Sequence, residues 1–338
     1  MHGVEFLFQG RNEGTPEVPA KLSEDLKASG LDTIATVFQR DIATRIISNS
    51  GSTDADWDNF DMDLAKTFAL FTSIAYCSNT TTIKAWKCSR CQGVPTFQVT
   101  DVVFDLKWDL IGYVGYWPER NAIVVAFRGS DSHSWTNWIE NLRTWREDGM
   151  WPLPDAPNVK VHAGFYNLWS KSDMASNITA AIQSVLVQHP DASLYVTGHS
   201  MGAALAQICA VDSKIKLGVA QVHSFTFGSP RVGNAAFHVF YEGLMAESWR
   251  FTHNRDVVPS LPPWFLGFHH VAREVWTIDV EPEIPGSPPE FIALMCDTTG
   301  EDPSCHNSAC RLGLCTSIAD HLTYLQHPMY RTEGECSI

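Results

Sequence analysis

The sequence predicts an α/β fold in which helices cover a mostly parallel central sheet. Two observations support this class. Apolar runs of strand length alternate with longer helical patterns along most of the chain. In addition, residues 194–207 have the pattern of a short apolar strand, a glycine-bracketed turn with a serine at its tip, and an alanine-rich helix. A length of 338 residues with 44% hydrophobic content suits one large domain with a substantial core.

The chain divides into three predicted parts. Residues 1–10 resemble an artificial expression linker with a sequence similar to a protease site. Residues 11–56 form an N-terminal extension or prosegment, and residues 57–338 form the main domain. The extension contains one amphipathic helix, because its apolar residues recur at three- and four-residue steps. Two interpretations of this helix stay open: a peripheral helix packed on the domain, or a retained prosegment that covers its functional face.

Within the main domain, each predicted element rests on its apolar pattern. The run 122–127 is continuously apolar, as expected for a strand covered on both faces. In chain order the sequence predicts a helix from 58 to 75, strands 99–104, 111–116 and 122–127, an element beginning at 162–169, a helix 176–188, strand 193–197, helix 201–213, strand 222–227, helix 234–246, and strands 249–253 and 274–279, followed by a Pro-rich and then Cys-rich tail.

The turn at Ser200 has the pattern G-x-S-x-G, which predicts a serine nucleophile. Gly198 and Gly202 leave room for strand and helix to pass closely around the serine. The following helix directs its N-terminal N–H groups and dipole towards charge that develops beside Ser200. A serine that merely caps the helix is the alternative, but it does not explain two glycines in an apolar setting. A strand, this turn and a helix in sequence indicate an α/β-hydrolase fold.

A serine nucleophile needs a general base and an acid, which follow it in the chain order serine, acid, histidine. His321 lies near the C-terminus on a short, apolar-flanked loop, and Asp256 directly follows a predicted strand, so that its side chain emerges at the sheet edge near the turn. Asp320 is the alternative acid, although adjacent residues seldom face each other. His253 lies within a predicted strand and is expected to pack there.

These residues predict ester hydrolysis through an acyl-enzyme. His321 accepts the Ser200 proton as the serine attacks an ester carbonyl, and Asp256 holds the imidazole and stabilises its cation. Two groups are the predicted oxyanion donors: the Met201 N–H, and Ser130, which follows an earlier strand and offers both its N–H and its hydroxyl. Each such donor is worth about 3 kcal/mol in the transition state.

The segment after Ser130 has an apolar helical face rich in tryptophan. Two interpretations stay open: a surface helix packed on the core, or a helical lid whose apolar face covers a pocket and moves onto lipid. The residues assigned to the lid are Ser132, His133, Ser134, Trp135, Thr136, Asn137, Trp138 and Ile139.

Charge and hydropathy exclude several classes of partner. The net charge of −14 and the lack of a basic run argue against nucleic acid and against tight docking on anionic membranes. No window approaches 18 uninterrupted apolar residues, so no transmembrane span is expected and contact with lipid should be peripheral. No cofactor or metal is expected, because Cys88 and Cys91 lack a second C-x-x-C to complete a zinc site.

The nine cysteines favour a secreted, disulfide-containing protein. Cys209 lies in the apolar helix after Ser200 and is expected to be a buried thiol. The other eight allow 105 pairings, among which composition cannot choose. Two N-glycosylation sequons, at Asn79 and Asn177, are compatible with secretion. The eight cysteines are Cys77, Cys88, Cys91, Cys296, Cys305, Cys310, Cys315 and Cys336.

Several motifs together resemble the fungal class 3 lipases of the Rhizomucor, Rhizopus and Thermomyces type, and the resemblance covers roughly residues 58–338. Met201 stands where leucine is usual and Ala203 where a third glycine is common, but neither change removes a catalytic group. The motifs are F-R-G-S at 127–130, N-W-I at 137–139, V-H-A-G-F at 161–165, G-H-S-M-G at 198–202, G-S-P-R-V-G-N at 228–234, R-D-V-V-P at 255–259 and D-H-L-T-Y at 320–324.

The resemblance implies the same triad (Ser200, Asp256 and His321), an oxyanion hole at Ser130 and Met201, and a mobile lid around 132–141. It also implies disulfides that pair Cys77 with Cys336, Cys88 with Cys91 and Cys296 with Cys305, leaving Cys310 and Cys315 close enough to pair with each other.

The expected function is that of a secreted, extracellular triacylglycerol lipase that hydrolyses acylglycerol esters at an oil–water interface. Phospholipases A1, mono- and diacylglycerol lipases and feruloyl esterases share the triad and remain alternatives. The Trp-rich lid and the apolar run at 262–268 favour long acyl chains over a soluble aromatic ester. The sequence does not determine the oligomeric state.

Overall fold

The structure, a computed structural model, describes part of the chain: residues 60–77, 80–130, 148–150, 156, 158–271, 273–280, 290–310, 315–332 and 336. The predicted linker, the N-terminal extension and the lid residues lie outside the described residues. The boundary between extension and domain therefore stays a prediction.

The described strands and helices follow the predicted alternation. The strands are β1 Gln98–Asp105, β2 Leu110–Trp117, β3 Ala122–Phe127, β4 Asp148–Met150, β5 Lys160–His162, β6 Ser193–His199, β7 Val222–Phe227, β8 Gly233–Asn234, β9 Glu247–His253, β10 Phe268–His269, β11 Glu274–Val280, β12 Glu290–Met295, β13 Thr323–Tyr324 and β14 His327–Pro328. The helices are α1 Met62–Ala75, α2 Thr80–Ala85, α3 Ala163–Ser170, α4 Met174–Gln188, α5 Met201–Lys216, α6 Ala235–Leu244 and α7 His306–Ala309.

An eight-stranded sheet in the order β1-β2-β3-β6-β7-β9-β11-β12 forms the centre of the fold. Its middle strands, from β3 through β6, β7 and β9 to β11, are parallel. Both edges are antiparallel, because β1 pairs with β2, β2 with β3 and β12 with β11 in the antiparallel sense. The predicted α/β-hydrolase fold with a mostly parallel, covered sheet is confirmed.

The structure contains elements that the sequence did not predict, among them the short strands β4, β8, β10, β13 and β14 and the helices α2 and α7. The Cys-rich tail contains an unpredicted edge strand, β12, because a short apolar run carries no period that separates a strand from a loop. The element at 162–169 is a strand end followed by a helix. His162 lies at that boundary, and its Nδ1 accepts a hydrogen bond from the Gly164 N–H.

Apolar side chains alternate between the two faces of the sheet. Val125 and Phe127 of β3 pack towards α4 and α5, whereas Val124 and Ala126 face the aromatic layer around α1. In that second layer, Phe68 of α1 stacks on rings of neighbouring strands. Helices therefore cover both faces, and the C-terminal ends of the parallel strands stay available for a site. Within the described residues, no helix has the length and hydropathy that crossing a membrane requires.

Four disulfides cross-link the described part of the chain. The Cys77–Cys336 bond joins residues 259 positions apart, which ties the end of α1 to the C-terminal segment. The remaining cysteine of the nine, Cys209, is a buried thiol in α5, and its burial raises the pKa well above the usual range. The other bonds are Cys88–Cys91, Cys296–Cys305 and Cys310–Cys315, so all four are the pairs that the sequence analysis names.

Candidate active site

Ser200 occupies a strained turn between β6 and α5. Its backbone has φ 59° and ψ −127°, and its side chain is fully buried. A residue with a side chain rarely adopts a positive φ, and such strain is characteristic of functional turns. A Cβ at Gly198 would lie closer than 3.0 Å to the Gly202 carbonyl group, and one at Gly202 would contact the carbonyls of residues 127 and 128. Only glycines allow this close passage of strand and helix.

Asp256 and His321 meet beside this turn. The Nδ1 of His321 lies 2.6 Å from Oδ2 of Asp256, and both side chains are fully buried. Asp256 follows the end of β9, where the Val258 N–H donates to its Oδ1 at 2.8 Å. A parallel bridge between Asp256 and Ser317 joins the two loops that carry the pair. The geometry has the form of an acid that orients a histidine base.

His199 links the base to the serine turn. Its ring lies 4.2 Å from the His321 ring, centroid to centroid, and its Nε2 lies 2.8 Å from the His321 carbonyl oxygen. Because His199 immediately precedes Ser200, this hydrogen bond places the backbone of His321 against the turn. The Ser200 hydroxyl has no hydrogen-bond partner among the described residues. It is a buried hydroxyl that is available for chemistry.

Tyr324 and Gly228 complete the surroundings of the Asp256 carboxylate, and sequence reasoning gave neither a role. The Tyr324 hydroxyl donates to Asp256 Oδ2 at 2.5 Å. Burial, followed by the Asp256 charge, raises the pKa of Tyr324 well above the usual range, so the phenol keeps its proton. Gly228 has φ 53°, and a Cβ there would lie 2.9 Å from Asp256 Oδ2 and from His321 Nδ1. No pattern in the sequence indicates either contact.

The alternative acid, Asp320, faces away from His321. Its carboxylate accepts a hydrogen bond from the Arg255 N–H at 3.1 Å, and the Asn254 amide lies 3.5 Å away. Asp320 therefore holds the loop that follows β9. This arrangement favours Asp256 as the partner of His321.

Ser130 and Met201, the predicted oxyanion donors, lie together at the same edge of the sheet. The Ser130 Oγ is 3.8 Å from the Met201 Sδ, and both residues are buried. The Met201 N–H lies in the first turn of α5, where N–H groups have no acceptor within the helix. The end of β3 packs on the turn, because a Cβ at Gly129 would lie 3.1 Å from the Ser200 Cβ.

Tyr76 supports both sides of this arrangement. Its hydroxyl accepts a hydrogen bond from the Gly129 N–H at 3.1 Å and lies 2.6 Å from His199 Nδ1. With the phenol donating to Nδ1, the His199 proton lies on Nε2 and is donated to the His321 carbonyl. Burial, followed by the neighbouring His321, lowers the pKa of His199 well below the usual range, so the ring is neutral. Sequence reasoning did not identify Tyr76.

Beyond the loop that carries Asp256, the apolar run at 262–268 forms an exposed surface. Trp264 and Phe265 are 58% and 63% exposed on a short 3-10 turn. They border a cavity of about 730 Å³ whose described lining also includes Arg231 and Glu301. These two residues form an ion pair at 2.7 Å.

The comparisons with known proteins find lipases. The family model described as lipase (class 3) matches residues 124–266. The lipase of Rhizomucor miehei is 30% identical over 255 residues, and the match covers 74% of this chain and 64% of that protein. Secreted mono- and diacylglycerol lipase A of Penicillium cyclopium is 34% identical over 169 residues, covering 50% of this chain and 52% of that protein. The chain thus spans less than two thirds of the length of these curated relatives.

Solved structures give the same family. The crystal structure of the lipase from Rhizopus microsporus var. chinensis has a TM-score of 0.67 at 28% identity, covering 82% of this chain and 89% of that chain. A triacylglycerol lipase, whose catalytic centre is described as a serine protease triad, has a TM-score of 0.66 at 28% identity, covering 82% of this chain and 97% of that chain. Together with the strained serine turn and the matched motifs, these findings show that the chain is similar to the class 3 lipases in sequence and in fold.

Proposed function

We propose that the protein is a secreted lipase that hydrolyses the carboxylic esters of acylglycerols, with triacylglycerols as its main substrates. The observation that carries the proposal is the buried Asp256–His321 pair, 2.6 Å apart, beside the strained turn of Ser200. A serine, a carboxylate and a histidine in this chain order are the groups that α/β-hydrolases use for acyl transfer.

In the proposed mechanism, the Ser200 Oγ attacks the ester carbonyl while His321 accepts its proton at Nε2. The Asp256 carboxylate fixes the proton of His321 on Nδ1 and stabilises the imidazolium that forms. His321 then returns the proton to the leaving alcohol, and a water molecule repeats the cycle to release the acid. The oxyanion accepts hydrogen bonds from the Met201 N–H and from Ser130, each worth about 3 kcal/mol.

The substrate class is supported by apolar surface and by the relatives. The exposed Trp264 and Phe265 lie in an uncharged run next to the loop of the acid, which suits an apolar substrate phase. Relatives named lipase are 30% identical over most of this chain. A preference for mono- and diacylglycerols is the second candidate, because relatives with that name reach 34% identity over half of the chain.

Secretion and lid opening are further parts of the proposal. Four disulfides suit an oxidising compartment, and Asn177 of one sequon is exposed in the first turn of α4. The resemblance supplies the lid at 132–141, and a structural relative is described as a model for interfacial activation in lipases, at 28% identity and a TM-score of 0.66. Opening of the apolar lid at a lipid surface gives substrate access to Ser200.

The test is fatty-acid release from emulsified triacylglycerol, diacylglycerol, phospholipid vesicles and a soluble feruloyl ester. We expect the highest rate on triacylglycerol, rising steeply once the substrate exceeds its solubility limit. Ser200→Ala should abolish hydrolysis of every ester, and Ser213→Ala, a serine in the same helix far from the turn, is the matched control. Full hydrolysis by the Ser200 variant would refute the mechanism, whereas highest activity on phospholipid or feruloyl ester would replace the substrate.

A second comparison addresses the extension. Release rates with and without residues 11–56 distinguish a covering prosegment from a peripheral helix. Removal of a covering prosegment raises the rate, and removal of a structural helix lowers the stability instead.

A further inference from the structure

His253 joins the loops of Asp256 and His321. It is the last residue of β9, it is buried, and its backbone carbonyl accepts a hydrogen bond from the Asp256 N–H at 2.9 Å. Its ring reaches across to the other loop, where Nδ1 lies 2.8 Å from the carbonyl oxygen of Asp320. That carbonyl belongs to the peptide bond that precedes His321. One residue therefore contacts the backbone of both loops.

The contacts of the ring require a charged imidazole. The second ring nitrogen, Nε2, lies 3.1 Å from Oδ2 of Asp279 at the end of β11. Both partners, a carbonyl oxygen and a carboxylate oxygen, are acceptors without a proton. A neutral histidine has only one N–H, so both hydrogen bonds exist together only when His253 is an imidazolium.

The electrostatics of the surroundings agree with this geometry. Burial disfavours the charge, but the hydrogen bond and the negative charge of Asp279, with the carbonyl and the charge of Asp320, outweigh it and raise the pKa of His253 above 6.5. Burial likewise opposes the Asp279 charge, yet its bond with His253 lowers the pKa of Asp279. Tyr324, whose ring lies 5.6 Å from that of His253, is neutral.

We propose that protonated His253 is a positioning residue that keeps the backbone of His321 in place beside Asp256, and that Asp279 makes this positioning pH-dependent. The inference rests on the proposed ester hydrolysis by Ser200. His253 makes no contact with the reacting atoms in this account. It acts through the backbone of His321.

The role of Asp279 follows from competition for one proton. When His253 loses a proton, the remaining N–H goes to the stronger, charged acceptor, the Asp279 carboxylate. The lone pair of Nδ1 then faces the carbonyl oxygen of Asp320 at 2.8 Å, a distance at which two acceptors without a proton between them repel each other. The loop of His321 is pushed away from its position, and we expect a roughly five-fold loss of kcat, the effect of losing one ordinary hydrogen bond.

Asp279→Asn is the variant that separates this account from a merely structural role. An asparagine amide can donate to Nε2, which leaves the single proton of neutral His253 on Nδ1 and keeps the bond to the Asp320 carbonyl. The Asp279 side chain is 51% exposed, so the change leaves no buried gap. Asp191→Asn is the matched control, because it removes the same charge from an exposed residue at the opposite, N-terminal end of β6.

The experiment measures kcat and KM against pH for a soluble short-chain ester and follows the protonation of His253 by NMR of the labelled imidazole. In the wild type and in Asp191→Asn, kcat should fall about five-fold as pH rises through the measured pKa of His253, with KM unchanged. In Asp279→Asn this step should be absent. A His253 that is already neutral at pH 6.5, or an unchanged step in Asp279→Asn, would overturn the inference.

The two proposals fail in different ways. If the wild type hydrolyses no ester at any pH, the proposed function is wrong, and the role of His253 in it is wrong as well. If the wild type is active and either of the two contrary results for His253 appears, only the positioning role is wrong.

Discussion

Gly228 lies where a single methyl group would disturb the Asp256–His321 pair. Its φ is 53°, and a Cβ would sit 2.9 Å from Asp256 Oδ2 and from His321 Nδ1, whereas ordinary contacts begin at 3.4 Å. Gly228→Ala must therefore displace the acid or the base by about half an ångström, the limit within which such groups must be held for productive geometry. The substitution acts on both partners at once.

The expected result has two parts. The left-handed backbone destabilises alanine by about 1–2 kcal/mol relative to glycine. The displacement of the pair should lower kcat by roughly 10- to 100-fold, as expected for a misplaced catalytic group. KM on a soluble ester should change little, because no substrate contact is removed.

Gly218→Ala separates the two parts. Gly218 has φ 65° and an open surrounding in which a Cβ would meet nothing within 4 Å. Gly218→Ala shares the backbone strain of Gly228→Ala but lacks its contact with the pair. The free energy of unfolding of Gly218→Ala should therefore fall by the same 1–2 kcal/mol, while its kcat stays at the wild-type value. Urea unfolding and hydrolysis of a soluble ester measure both quantities. Wild-type kcat in Gly228→Ala would refute the packing of the glycine against the pair.

Three further predictions concern buried hydrogen bonds. Tyr324→Phe removes a donor to the charged Asp256 and should lower the free energy of unfolding by about 1.5–3 kcal/mol, with a loss of kcat in the same assay; unchanged stability would contradict the hydrogen bond. Tyr76→Phe leaves the Gly129 N–H without its acceptor, and a loss of about 1–3 kcal/mol in urea unfolding is expected. Because the pKa of His253 is raised on folding, the stability that its charge contributes is complete below pH 6.5 and is lost as pH rises through the folded-state value. Denaturation at a series of pH values measures this loss, and a flat profile in the wild type would contradict it.

Much of the fold was predictable because local patterns agree with tertiary packing. All the predicted strands are present in the sheet, since continuous or alternating apolar runs specify strands that are covered on one or both faces. The strand of the central sheet that was missed, β12, lies at the sheet edge, where pairing with β11 rather than a sequence pattern makes it a strand. Edge pairing is decided by which neighbour is within reach.

The candidate site was predictable only where chemistry demands a residue type. The glycines that bracket Ser200 are a local sequence pattern, and the acid and base can be sought by their order in the chain. Tyr76 and Tyr324 carry no such signal, because a tyrosine in an apolar stretch has the pattern of ordinary core. His253 was expected to pack in its strand, and it does lie buried at the end of β9, but its two acceptors come from segments far away in the chain.

The sequence by itself determined the order of the elements, the sharp turn at Ser200 and the residue types of the site, because these depend on periodicity, glycine geometry and chain order. Tertiary structure decided between the two carboxylates that the sequence offered as partners of the histidine. Asp256 rather than Asp320 faces His321, since the bridge between the two loops turns one carboxylate inward and the other towards the Arg255 N–H. Asp256 and His321 are 65 residues apart in the chain. Their contact depends on where two loops meet at the edge of the sheet, and no local sequence pattern encodes it.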